Sequence, residues 1–469
     1  MIAIVSLGTE RGDLSMRGAE AIRRADKVLL RTGLLPSAES VRETGAEFET
    51  LDALYEKSRT YETFTQNALK EIRRAAKGAE LCYCVDGGVS EDRIANALIA
   101  GGGEIEIIEG ATKSAKAAAA AGLAVCYQAV SAYEISEAKL TLPLVVYDIA
   151  SRELAGDVKL KLAQKFGDDA PACFLCGSTV KKIPIFEADR QNTYHEGTSL
   201  VVYDRPLLER KRFDAEDLME ILRRLRAPDG CPWDKVQTHQ SIRINAIEEA
   251  YELVDAVDCD DPDKLCEEAG DVIMQAAFHT LIEEERGNFD LTDVLSGVCE
   301  KLITRHTHVF GKDKDKAANA DGALSVWDRN KMTEKHQATY SDAVNDVPKC
   351  FPALLRAQKI AKRVRKGGWD FPRADEESEA IERFENARAR GDKTAAASAF
   401  GEMLMNLAFT AYSAGIDAEQ ALLDAVKRVA SIYNEWEKSV IADGKDVDTL
   451  TRDEREYYYR KAKTDAGKN

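Results

Sequence analysis

No run of about 18 or more apolar residues occurs in this 469-residue chain, so nothing in it reads as a membrane-spanning helix. The GxxxxGKS and GxxxxGKT phosphate loops are missing too, which removes one common sequence route to a bound nucleotide. Positive charge is scarce: 65 Lys and Arg stand against 82 Asp and Glu, and the net charge of −17 argues against nucleic acid and anionic membranes as partners. The opening MIAIVSLG has neither a basic flank nor a small-residue cleavage site, so it reads as a first β-strand and not as a signal peptide. The ten cysteines are scattered through apolar segments, which predicts reduced, buried thiols and a cytoplasmic protein. Cys173 and Cys176 have CxxC spacing but no second pair of ligands at a metal-binding distance, and ACFLCGST reads as a strand.

What the chain does contain divides near residue 205. Before it, the segments IAIVSLG, KVLLRTG, LCYCVDGG, EIEIIEG, PLVVYDI, ACFLCGS and SLVVYD are short, rich in β-branched or aromatic residues and bounded by Gly or Asp. Helical patterns such as 16–25 and 61–77 lie between them, so residues 1–205 should form an α/β domain of two subdomains dividing near 112. The loop Gly8 to Asp13 joins a strand to a helix, the place where such sheets bind ligands. After Asp204 the strand patterns stop and long amphipathic helices predict an all-α region.

Two acidic clusters dominate that region. Glu248, Glu249 and Glu252 accompany apolar residues at helical spacing (Ile247, Ala250, Val254, Val257), and Glu268 and Asp271 accompany Leu265, Ala269, Val272, Ile273 and Ala276. Carboxylates three or four apart share a helix face. Asp260, Asp261 and Pro262 mark a tight connection, so the two helices should be antiparallel with their acids meeting. Carboxylates so gathered repel unless a cation lies among them, and oxygen-only ligands favour Mg²⁺, with Mn²⁺ as a substitute. The bland reading of the same spacing is a pair of solvated helix faces.

Two resemblances sharpen these expectations. SLGTERGD, VDGGVSED, EGATKSAKAAAAAGL and ASRELAGDVKLKL, in that order over about 200 residues, resemble the tetrapyrrole methylase fold. That resemblance implies S-adenosylmethionine between two α/β subdomains, at Gly8, Gly12 and Asp13. The loop departs from the family's usual GxGxGD in carrying Thr9, Glu10 and Arg11.

From about 216 to 335, GCPWDKVQTH, the EExxE cluster at 248–252, the ExxD pair at 268–271 and RHTHVF resemble the MazG family of nucleoside triphosphate pyrophosphohydrolases. This implies an all-α bundle that usually pairs as a homodimer and hydrolyses nucleoside triphosphates to monophosphates and pyrophosphate. The family's Mg²⁺ ligands carry over to Glu249, Glu252, Glu268 and Asp271. Glu248 is then expected to orient water, Arg305, His306, Lys331 and Lys264 to meet phosphates, and Trp233 and Trp327 to stack on a base. The expected layout is a methylase-like domain at 1–205, a MazG-like domain at 206–340, and a second MazG-like repeat at 341–469 ending in a charged, frayed tail. In that repeat GGWDFP answers GCPWD, but Arg383 and Asn386 replace the EExxE ligands and Ala399 and Glu402 the ExxD pair, so its chemistry is lost. The rival functions are a methyltransferase acting through the first domain and a non-enzymatic ligand-sensing or assembly protein.

Overall fold

A computed structural model describes residues 1–311, 319–334, 339–369 and 374–466, which pack as two compact units, Met1–Asn288 and Phe289–Asn469. The polar stretch 312–318, Lys335 and the last three residues of GGWDFP lie outside the described residues.

In the first unit, β1 (Ile2–Ser6), β2 (Lys27–Leu30), β3 (Glu49–Thr50), β4 (Leu81–Val85) and β5 (Ile105–Ile108) form a parallel sheet of order β3-β2-β4-β1-β5. Parallel strands need both faces covered. Ile4, Leu29 and Tyr83 meet Phe64, Ile72 and Ile94 on one face, while Val5, Leu30, Cys82 and Cys84 meet Ile22 and Val41 on the other. The strands β6 (Gln128–Ser131), β7 (Leu144–Tyr147), β8 (Pro171–Cys176), β9 (Thr179–Pro184) and β10 (Ser199–Val202) form a second sheet of order β6-β7-β10-β8-β9, in which only β6 and β7 pair in parallel. All seven strands expected from the sequence are present, and the sheets change over between Ile108 and Gln128.

The sequence missed β3, β6 and β9. Strand β9 is the sheet-edge segment TVKKIP, whose exposed lysines read as loop but are what keeps an edge strand from pairing with other chains. The cysteine expectation needs correction as well. All ten are free, but Cys82, Cys84, Cys173 and Cys176 alone are buried, whereas Cys126, Cys259, Cys266, Cys299 and Cys350 are exposed. Cys266 and Cys299 lie on the outer sides of helices, where apolar neighbours in sequence do not bury a thiol, and Cys126, Cys259 and Cys350 lie in turns and connections.

Among the described residues no strand follows β10. The helices Asn245–Asp258 and Pro262–Glu285 are packed together, with Ala215–Arg226 against the second. Their turn follows from its residues. Asp260 takes φ 53°, Asp261 caps the next helix by accepting from the amides of Asp263 and Lys264 at 3.1 Å each, and Pro262 occupies the first helical turn.

The second unit is entirely helical among its described residues and includes Leu291–Arg305, Ala320–Glu334, and the pair Ala374–Ala389 and Lys393–Ser413. The charged last stretch carries a helix over Arg452–Ala466, and the end of the chain expected to fray, 467–469, lies outside the described residues. Tyr458 and Leu450 pack with Val440 and Trp436, and that small core holds a segment whose charge alone suggested disorder.

Candidate active site

Glu249 and Glu252 lie one turn apart on the helix Asn245–Asp258, and Glu268 faces them from Pro262–Glu285. One carboxylate oxygen from each falls within 4.8 Å of the others. Glu268 is only 7% exposed, and burial, followed by the charges of Glu252 and Glu267, raises its pKa. None of the three forms a hydrogen bond or ion pair with a described residue. The donor set is all oxygen and partly desolvated, and Lys264, whose charge reaches Glu268, is paired with Asp255, which leaves a set that fits a hard divalent cation.

Asp271 lies one turn beyond Glu268, half-buried, outside that three-oxygen group but close enough for its charge to raise the Glu268 pKa. Glu248 is exposed. The apolar positions Ile247, Val254, Val257 and Ile273 are 49%, 41%, 59% and 59% exposed, so the stripe that marked these helices in the sequence faces outward in a single chain.

A polar frame fixes the loop before the acidic helices. Arg226 spans Glu285 with two contacts of 2.7 Å and donates to the carbonyls of Asp234 and Gln237 at 2.6 and 3.2 Å. His239 Nδ1 and His279 Nδ1 are 2.7 Å apart, and His239 Nε2 lies 2.5 Å from Glu283. His279 lies among apolar residues on its helix, yet it is half-buried and hydrogen-bonded across to His239. Glu283 escaped notice, since its link to His239 spans 44 positions.

The Asn288 amide, then His239 and Arg286, hold the Glu283 carboxyl down to about 2 from an ordinary 4.5. A depressed carboxylate pKa stabilises the fold fully above its unfolded value and loses that stabilisation as pH falls through its folded value. Glu283→Gln should therefore flatten the loss of stability between pH 4.5 and about 2 in urea titrations. An acid slope identical to the parent's would overturn this role.

The other expected contacts are placed as follows. Trp233 is 55% exposed. Lys264 is paired with Asp255 at 2.9 Å. In the second unit Arg305 grips Glu334 with contacts of 2.7 and 3.0 Å, and Trp327 carries the Arg305 guanidinium 5.4 Å and the Lys331 ammonium 4.8 Å from its ring centre. His306 Nδ1 is 2.6 Å from the Leu302 carbonyl. Arg305, Trp327 and Lys331 thus form one cluster, with cations already against the indole.

In the second repeat Arg383 donates to Glu402 at 2.6 Å and to Glu379 at 3.3 Å, so a guanidinium provides the counter-charge for acids at the matching place.

In the α/β domain Asp13 accepts from the amides of Thr9 and Glu10 at 2.9 and 3.0 Å and so closes the first loop on itself. Gly8 has φ 71°, and a Cβ there would lie 2.2 Å from that of Asp13. Gly12 also has positive φ, at 92°.

Fold and site together define a class: an α/β domain of two sheets joined to helices whose facing acids come together from two sides. Residues 237–310 match the MazG nucleotide pyrophosphohydrolase domain family. The chain is 32% identical over 394 residues to the uncharacterized protein YabN of Bacillus subtilis, across 77% of this chain and 76% of that one. It is 36% identical over 234 residues to a nucleoside triphosphate pyrophosphohydrolase of Escherichia coli, across 48% of this chain and 88% of that one. The chain belongs to the MazG family. Among solved structures, a uroporphyrin-III-C-methyltransferase from Thermus thermophilus aligns with 43% of this chain and 94% of its own length, at 18% identity and a TM-score of 0.32.

Proposed function

We propose that this chain hydrolyses nucleoside triphosphates to monophosphates and pyrophosphate with Mg²⁺, or Mn²⁺ in its place, and clears unwanted nucleotides from a cytoplasmic pool. The observation that supports it is the convergence of Glu249, Glu252 and Glu268 from two helices, with one carboxylate oxygen of each within 4.8 Å of the others. Together with Asp271 they would hold the metal, whose chemistry is to neutralise phosphate charge during attack. Residues 206–340 would be the catalytic domain and 341–469 a degenerate partner repeat.

The chain's own groups have distinct tasks in this reading. Glu248, exposed beside the ligand set, would orient the attacking water. Arg305 would exchange Glu334 for a phosphate oxygen pair, since its fork suits both. His306, Lys331 and Lys264 would add donors to the phosphates. Trp233 and Trp327 would stack on a base, which tolerates any base because each has a π-face. The exposed stripe of Ile247, Val254 and Val257 supports a homodimer, because a single chain leaves that apolar surface in water.

The test is pyrophosphate release from a panel of ribo- and deoxynucleoside triphosphates, with and without Mg²⁺, on the intact chain and on Glu252→Ala. Metal-dependent pyrophosphate and monophosphate that vanish in the variant are expected, from a preparation that sediments as a dimer. Orthophosphate as the product, or full activity in Glu252→Ala, would sink the reading.

A further inference from the structure

The α/β domain encloses a cavity of about 180 Å³ lined in part by Thr9, Glu10, Asp86, Lys113, Lys116 and His195. Glu10 and Asp86 follow β1 and β4, so the cavity lies beyond the carboxyl ends of the first sheet, where α/β sheets take ligands. The likeness to tetrapyrrole methylases implies S-adenosylmethionine between the two sheets, and the residues here do not fit it.

Three observations carry this. Lys113 is 6% exposed, and its ammonium lies 2.5 Å from Asp86 and 2.5 Å from Asp148. Asp86 follows β4 of the first sheet and Asp148 follows β7 of the second, so one buried cation ties the sheets together. Arg31, also 6% exposed, extends the network, with contacts of 3.3 Å to both Asp86 and Asp92 and 3.0 Å to the Tyr61 hydroxyl. Nothing local favours a lysine in the first turn of the helix Lys113–Ala120, where the helix dipole is positive. Asp86 and Asp148 compensate the ammonium, while the Glu91 carboxylate accepts from the Lys113 and Ser114 amides at 2.6 and 2.8 Å.

Second, the two glycine turns are closed on each other. The Gly87 amide donates to the Gly8 carbonyl at 2.7 Å, and a Cβ on Gly87 would lie 2.6 Å from Lys113 Cγ. That amide is therefore used, and the lysine stem covers the glycine. Third, Glu10 is ion-paired with Lys116 at the cavity wall. The remaining 180 Å³ falls below the ~300–1,000 Å³ of pockets that bury drug-sized ligands.

We infer that the cleft between the two sheets is locked by the Asp86–Lys113–Asp148 bridge, takes no S-adenosylmethionine, and makes the α/β domain a closed module without methyl transfer. The bridge is the domain's own substitute for a ligand that would otherwise join the sheets.

Equilibrium dialysis of the full chain against S-adenosylmethionine and S-adenosylhomocysteine tests it first. No saturable uptake of either is expected; saturable uptake of either at micromolar concentration would overturn the inference. Lys113→Met keeps the stem, takes the cation from between Asp86 and Asp148, and leaves Asp86 with Arg31 alone. Its thermal midpoint should drop by about 6 °C or more. Adding Asp148→Asn should restore part of that loss. A Lys113→Met chain that melts with its parent would show that the bridge locks nothing. If that variant fails to fold, the dialysis result on the parent decides alone.

Discussion

Glu268→Gln is expected to lower pyrophosphate release at least about a hundredfold and to leave the metal-free chain no less stable than its parent. The first half follows from ligand chemistry. Partners of metal ligands already cost ~10–100-fold when removed, and a ligand itself should cost more. The second half follows from burial. Glu268 is 7% exposed, and desolvation, then Glu252 and Glu267, raises its pKa above the unfolded value.

A raised carboxylate pKa means that the folded state binds its proton more tightly. Metal-free stability should thus fall as pH rises through that raised value, and Gln should remove the fall. Chemical denaturation with chelator present, at pH 5 and pH 8, reads this directly, and stopped assays with excess Mg²⁺ read the activity. Activity within a few-fold of the parent would place the metal elsewhere. A large loss of metal-free stability would make Glu268 a structural residue instead of a strained ligand.

Arg226→Ala should be the most damaging change in the polar frame of the loop before the acidic helices, with a loss of about 3 kcal/mol in stability. The side chain is 8% exposed and spans Glu285, the carbonyls of Asp234 and Gln237, and the ring of Phe278 at 5.3 Å. Truncation takes the guanidinium from the Glu285 carboxylate and from the Gln237 carbonyl, leaves the Asp234 carbonyl with the Gln237 amide alone, and opens a void. Because Glu285 is 41% exposed and water can reach it, the effect belongs at the lower end for a broken buried pair. Arg226→Lys keeps the charge but not the fork, and should fall between. Urea unfolding followed by helical signal checks both. A change below about 0.5 kcal/mol in the alanine variant would mean that the loop over 230–238 is held by other contacts.

The loop matters because Trp233 lies on it and His239 opens the short helix that follows it. Its free energy is invisible from the local sequence, since Arg226 and Glu285 are 59 positions apart.

The sequence by itself determined the elements and the composition of the site. Short β-branched and aromatic runs bounded by Gly or Asp marked seven strands, and helical spacing put Glu249 with Glu252 and Glu268 with Asp271 on common faces. The residues Asp260, Asp261 and Pro262 then folded the two faces together. These are local rules, written into neighbouring residues.

Tertiary structure alone decided what each face meets. It buried Glu268 and left Glu248 in water, and it drew three acids together with Asp271 just outside. It also set Arg305 and Lys331 against Trp327 and turned the Ile247 stripe outward. Lys113 is the sharpest case. In EGATKSAK it looks like any solvated helix lysine, yet Asp86 and Asp148, 27 positions before it and 35 after, enclose it. Periodicity fixes which side chains share a face, whereas burial and charge pairing depend on residues that only the folded chain brings near.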